Sequence, residues 1–158
     1  MLLAVGFGQL LGTGAFTFGY AEGLSYFSTD PSACANCHIM QSQFDAWERS
    51  SHRNAAVCVD CHLPTSFIPK YAAKAENGYR HAKKFTTGNF DEPIFVQERG
   101  SEILQNNCVR CHGDLVAEMN AVSTSHGEGM RCVHCHAAAG HGDSARLGGS
   151  YPMEAGRQ

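Results

Sequence analysis

The sequence predicts a mainly α-helical chain with long loops, in which one N-terminal transmembrane helix precedes a domain made of two related units. Three observations carry this reading. The first 21 residues hold no charged side chain. Beyond them a five-residue pattern, Cys-x-x-Cys-His, occurs four times. Between its second and third occurrences, apolar residues recur at helical spacing. The organisation that follows is an anchor over residues 1–24, a first unit over 25–64, a linker with an amphipathic helix over 65–107, and a second unit with a tail over 108–158.

The anchor reads MLLAVGFGQLLGTGAFTFGYA. A helix of about 20 residues rises far enough to cross the hydrocarbon layer. A cleaved secretory signal would show a basic n-region and a small-residue cleavage site. Here no Lys or Arg precedes Arg49, and the apolar run is long for such a signal, so a retained anchor is expected. The missing basic flank leaves the positive-inside rule mute and hints at a true start upstream of Met1. Ala4, Gly8 and Gly12 fall at intervals of four, a small-residue strip that would let a second anchor approach and the protein self-associate. The other reading is that Gly is simply common in membrane helices. Tyr20, Tyr26 and Phe27 fall near the outer interface.

The repeated pattern comprises Cys34, Cys37 and His38; Cys58, Cys61 and His62; Cys108, Cys111 and His112; and Cys132, Cys135 and His136. Each is the attachment signature of a c-type haem, with two thiols for thioether bonds and an adjacent imidazole for the iron. The four motifs use all eight cysteines, leaving none for disulfides. Zinc knuckles are the alternative, but they do not require His after every second Cys. Four covalently attached c-type haems are therefore expected. They would supply apolar mass to a chain of 158 residues with 17 Gly and little extended apolar patterning, and small domains need such staples. The haems place the domain on the periplasmic side of the inner membrane. A net charge of −3 does not suggest a nucleic-acid partner.

The motifs are themselves a repeat. Cys34 and Cys58 are 24 residues apart, as are Cys108 and Cys132. Ser51-His52 and Ser125-His126 each lie six residues before the second motif of their unit. The haem-packed domain thus reads as two related dihaem units. Low-spin haem iron takes a second axial ligand, usually His in multihaem chains. His52, His126 and His141 are the candidates, with His52 and His126 expected to cap haems of the opposite half. His134, between the cysteines of its own motif, is poorly placed for that iron. One haem is left short, and the first motif is where. Met40 either packs on that haem or replaces His38 as its near-side ligand, and in both cases the far face lacks a strong ligand.

From Lys70 to Phe85, Tyr71, Ala75, Tyr79, Ala82 and Phe85 form one helical stripe, and Lys70, Lys74, Asn77, His81 and Lys84 another. Pro69 suits the helix start, whereas Gly78 weakens its middle. Such a helix could lie on anionic membrane lipid, or present a solvated charged face. The sharper reading is a quinol site, with Lys74, Asn77 or His81 bonding a quinol oxygen and accepting protons.

The single anchor, the first motif followed by Met40, Ser51-His52, Lys74 and His81 in the linker, and His141 after the fourth motif resemble the NapC/NirT/NrfH family of membrane-anchored cytochrome c quinol dehydrogenases. The resemblance covers nearly the whole chain. The short length, the four motifs and Cys-x-x-Cys-His-Ile-Met are most similar to the small-subunit branch that serves nitrite reductase. It implies menaquinol oxidation and electron delivery to the catalytic subunit of the pentahaem cytochrome c nitrite reductase. It also implies three bis-His haems and an exceptional first haem. A tetrahaem carrier without quinol chemistry stays open beside it. A small-molecule reductase ranks last, because so short a chain has little with which to enclose a substrate pocket.

Overall fold

A computed structural model describes residues 1–89, 94, 96–124 and 131–142. Every regular element among them is helical and none is a strand. The helices are α1 (Leu2–Tyr20), α2 (Ser32–Ala35), α3 (Gln41–Glu48), α4 (Cys58–His62), α5 (Phe67–Thr87), α6 (Glu98–Thr124) and α7 (Cys132–Cys135), with 3-10 turns at Gly23–Phe27 and His38–Met40.

α1 has 19 residues, none of them buried. At about 1.5 Å per residue it spans about 28 Å, close to the thickness of a hydrocarbon layer, and it is long and apolar enough to cross one. It stops at the first charge of the chain. Glu22 takes the left-handed backbone conformation, φ 50°, which costs a non-glycine residue roughly 1–2 kcal/mol. The chain turns there, and the carboxylate of Glu22 accepts a hydrogen bond from Asn36 Nδ2 at 2.8 Å.

α5 starts a few residues before the stretch expected from periodicity. Pro69 lies in its first turn, where a missing N–H breaks no helical bond. The helix ends at Gly88, φ 65°. The N–H groups of Gly88 and Asn89 close on the carbonyls of Phe85 and Lys84 at 3.2 and 3.0 Å, as left-handed caps do. Gly78 has a packing reason rather than a propensity cost alone. A Cβ there would lie 2.9 Å from the ring of Tyr26, which crosses the helix at that point.

α6 carries the third motif up to a kink at His112 that separates two helical stretches, the first of which runs through residues 107 and 108. Its backbone departs from helical geometry at His112 (φ −112°, ψ 15°), so the motif histidine sits at the kink. The apolar core is small: Val59, Leu63 and Ala73, with Val57 against them. None of the described side chains is fully buried. Polar ties carry much of the assembly instead. The buried Asn107 amide donates to the carbonyls of Cys61 and Leu63, both at 2.9 Å. Arg110 donates to the Asp60 carbonyl at 3.2 Å. Glu76 of α5 pairs with Arg99, and Glu98 with Arg131.

Candidate functional site

In a helical Cys-x-x-Cys the two thiols lie three residues apart and therefore on one side of the turn. α4, α6 and α7 each supply such a turn, whereas in the first motif α2 ends at Ala35 and Cys37 is extended (φ −85°, ψ 113°). All eight thiols are free of disulfides and exposed or half-buried. They also neighbour one another in an order. The Cys58 thiol hydrogen-bonds Cys34, which is pulled down to about 7 chiefly by that bond, with Lys74 assisting against desolvation. Cys58 is pushed up by the same bond and by burial. Cys108 is raised by desolvation and by the neighbouring Cys132, to which it is hydrogen-bonded. Cys61 is raised by desolvation, then by Asp60 and Cys111. The first thiols of each 24-residue spacing thus act on one another, and Cys61 senses Cys111 of the other half.

Two pairs of imidazoles meet. The ring of His52 stands edge-on to that of His112, centroids 6.1 Å apart. His141 lies 6.0 Å from His62 at an interplanar angle of 30°. A metal–imidazole bond is about 2 Å long, so with the ring radii added, two imidazoles clamping one iron have centres about 6 Å apart. Both incoming histidines are oriented from behind. Nδ1 of His52 lies 3.0 Å from the Ala139 carbonyl, and Nδ1 of His141 lies 3.0 Å from the Gln43 carbonyl. A carbonyl only accepts, so Nδ1 carries the proton and Nε2 keeps its lone pair for a metal. His62 is pushed down to about 4, first by desolvation and then by His141, although its outer edge stays open to solvent. It is therefore neutral, and competent as a ligand, at pH 7.

Among the described residues no three of His, Cys, Asp or Glu converge as an ion site requires. Paired thiols on single helical turns in the second, third and fourth motifs, and imidazoles in opposed twos, fit haem. His126 and its Ser125 lie outside the described residues. Among the described residues no second imidazole stacks against His38 or His136. His38 and Met40 share one 3-10 turn, with His38 exposed and Met40 half-buried.

The linker residues gather at the exit of the anchor. Lys74 Nζ donates to the carbonyls of Tyr26 and Ser28 at 2.6 and 2.7 Å. These carbonyls, like those of Gln43 and Ala139, carry no sequence signal, because any residue supplies one. Lys74 is lowered from its ordinary 10.5 by desolvation and then by Lys70, against the opposing charge of Cys34. Tyr71 lies under it, with Nζ 5.6 Å from the ring centroid. Phe27 and Phe67 flank Tyr71 at 6.0 and 4.8 Å. Lys74, Asn77 and His81 occupy about 60° of the helix circumference. Asn77 and His81 are exposed. His81 is lowered by desolvation, then by Arg80 and Lys84.

A helix long and apolar enough to span a membrane, joined to a helical domain with four Cys-x-x-Cys-His motifs and opposed imidazoles, defines the class of multihaem c-type cytochromes. The model of the NapC/NirT cytochrome c family, N-terminal region, matches residues 1–145, and the chain belongs to that family. It is 37% identical over 145 residues to the cytochrome c-type protein NrfH of Wolinella succinogenes, covering 86% of this chain and 82% of that one. It is 27% identical over 166 residues to the cytochrome c-type protein NapC of Escherichia coli K12, covering 89% and 80%. A solved structure, the cytochrome c nitrite reductase NrfHA complex bound to the HQNO inhibitor, contains a chain that superposes with a TM-score of 0.63 at 26% identity, covering 89% of this chain and 90% of that one.

Proposed function

We propose that this chain oxidises menaquinol at the periplasmic face of the inner membrane and passes the electrons to the catalytic subunit of a pentahaem cytochrome c nitrite reductase. The seat of Lys74 carries the quinol half of this reading: its ammonium group bridges two carbonyls in the segment that joins the anchor to the first motif. The likeness to NrfH and to a chain of the NrfHA complex supports the nitrite reductase half.

Four haems on the four motifs supply one-electron carriers between a two-electron donor and the partner. The paired rings favour His62 with His141 and His112 with His52 as axial ligands. His126, expected to cap a haem of the opposite half, lies outside the described residues, and His38 or Met40 serves the first haem. Each haem is held by its motif cysteines: Cys34 and Cys37, Cys58 and Cys61, Cys108 and Cys111, Cys132 and Cys135.

Quinol oxidation releases two protons with two electrons, so the chain must receive protons at the same place. Lys74 does so at Nζ in its neutral form, and the Tyr26 and Ser28 carbonyls hold the ammonium that results. Desolvation brings the neutral amine closer to working pH. His81, two turns further along α5 and open to solvent, relays a proton outward, while the Asn77 amide bonds a quinol oxygen. Phe27, Tyr71 and Phe67 offer an apolar wall for the ring.

The same helix faces lipid. Phe67, Ile68, Tyr79 and Phe85 of α5 are 68–81% exposed, with Lys70 and Lys83 at the edges of that sector. An apolar face rimmed by cations suits an anionic bilayer surface. In α1, a Cβ added at Gly8 or Gly12 would meet nothing within 4 Å, which leaves that strip free for a second anchor.

Replacing Lys74 with Leu tests the proposal. Reduction by a menaquinol analogue should be abolished while dithionite still reduces every haem. A variant that oxidises quinol at the wild-type rate makes Lys74 a solvated charge only, and the quinol site then lies elsewhere around the first haem.

A further inference from the structure

We infer that the two halves of the chain aim each other's haem ligands through two main-chain carbonyls, so that ligation of the second and third haems is one interlocked act. This rests on the ligand pairs proposed above. The first half offers His52 and the Gln43 carbonyl. The second half offers His141 and the Ala139 carbonyl. Each imidazole crosses to the other half, and each is oriented there by a carbonyl of the half it enters.

Both supporting segments are short and braced. Trp47 of α3 donates its indole N–H to the Ala56 carbonyl at 3.0 Å, which closes the loop carrying His52 back onto the helix carrying Gln43. On the other side the turn after the fourth motif is closed by Ala139 N–H to the His136 carbonyl at 3.1 Å and Gly142 N–H to the Ala138 carbonyl at 2.8 Å. Ala139 and His141 are two residues apart on that one turn. Moving the turn therefore withdraws the distal ligand facing His62 and, with it, the carbonyl that fixes the tautomer of the ligand facing His112. A carbonyl partner on Nδ1 also raises the basicity of Nε2. Ala139 and Gln43 are positioning residues through their backbone, and the signal is invisible to side-chain motifs.

The test uses the full-length, haem-loaded protein. In reduced wild type labelled with 15N-His, where bis-His ligation would make the second and third haems low-spin and diamagnetic, the Nδ1–H protons of His52 and His141 should exchange at least about tenfold more slowly than those of an exposed imidazole. Two variants follow. His141→Met should perturb the low-spin electron paramagnetic resonance signal of the third haem as well as that of the second, although His52 and His112 are untouched. Gly140→Pro keeps both imidazoles but biases residue 139 toward extended backbone, re-aiming its carbonyl. A Cβ at residue 140 meets nothing within 4 Å. It should shift the g-values and raise the potential of the third haem. If His141→Met alters the second haem alone and Gly140→Pro leaves the third unchanged, the interlock is wrong and the ligand pairs stand. If His141→Met alters no haem, the ligand pairs themselves are wrong. Should His141→Met fail to mature, wild-type exchange and Gly140→Pro still decide.

Discussion

Asn36, inside the first attachment motif, donates a hydrogen bond of 2.8 Å to Glu22, the first charged residue after the anchor. The two ends of the connecting segment are thereby drawn together, and Lys74 binds the carbonyls in its middle. The first motif is held at the membrane exit by this closure rather than by its closeness in sequence alone. α5 completes the arrangement, because Gly78 lets the Tyr26 ring lie against it.

Quinol oxidation should accelerate with pH. A proton acceptor must be neutral, and Lys74 is lowered from 10.5, so its neutral fraction grows as pH rises through that lowered value. Initial rates with a quinol analogue between about pH 6 and 9 should rise more steeply for wild type than for Lys74→Arg, whose guanidinium stays charged. Parallel profiles would remove Lys74 from proton transfer. The same shift means that the folded chain binds fewer protons at Lys74 than the unfolded chain, so its contribution to stability increases with pH up to 10.5.

His52→Met should convert the spectrum of the third haem, and His141→Met that of the second, as read by electron paramagnetic resonance at full haem content. The ring distances of 6.1 and 6.0 Å make these assignments specific. Unchanged low-spin signals in both variants would contradict them.

Asn107→Leu should destabilise the domain by about 1–3 kcal/mol, the cost of leaving buried carbonyls unpaired. Asn107 is 7% exposed and joins α6 to two carbonyls at the end of α4. The shift in denaturant midpoint of the haem-loaded protein measures this, and an unchanged midpoint would show that water replaces the amide without loss.

A photoreactive residue placed at Tyr79 or Ile68 should cross-link to anionic lipid in nanodiscs, whereas one at Glu76, on the side that pairs with Arg99, should not. Cross-links from Tyr79 to protein alone would move this face to an interface with a partner.

The sequence by itself determined the apolar N-terminal helix, the four Cys-x-x-Cys-His motifs and the linker helix. Each is written in short-range pattern: an uncharged run, a five-residue signature, a 3.6-residue stripe. It also singled out Lys74, His52 and His141 as residue types able to bond or ligate. Only the tertiary structure decided what each of them meets. His52 reaches a carbonyl 87 residues away, His141 one 98 residues away, and Lys74 carbonyls 46 and 48 residues away. His52 stands against His112 of the other half, whereas His126 falls outside the described residues. The helix through the third motif and the reason for Gly78 were equally hidden. Main-chain carbonyls are chemically alike at every position, so their roles arise only when the chain folds back and brings a donor within about 3 Å of one of them.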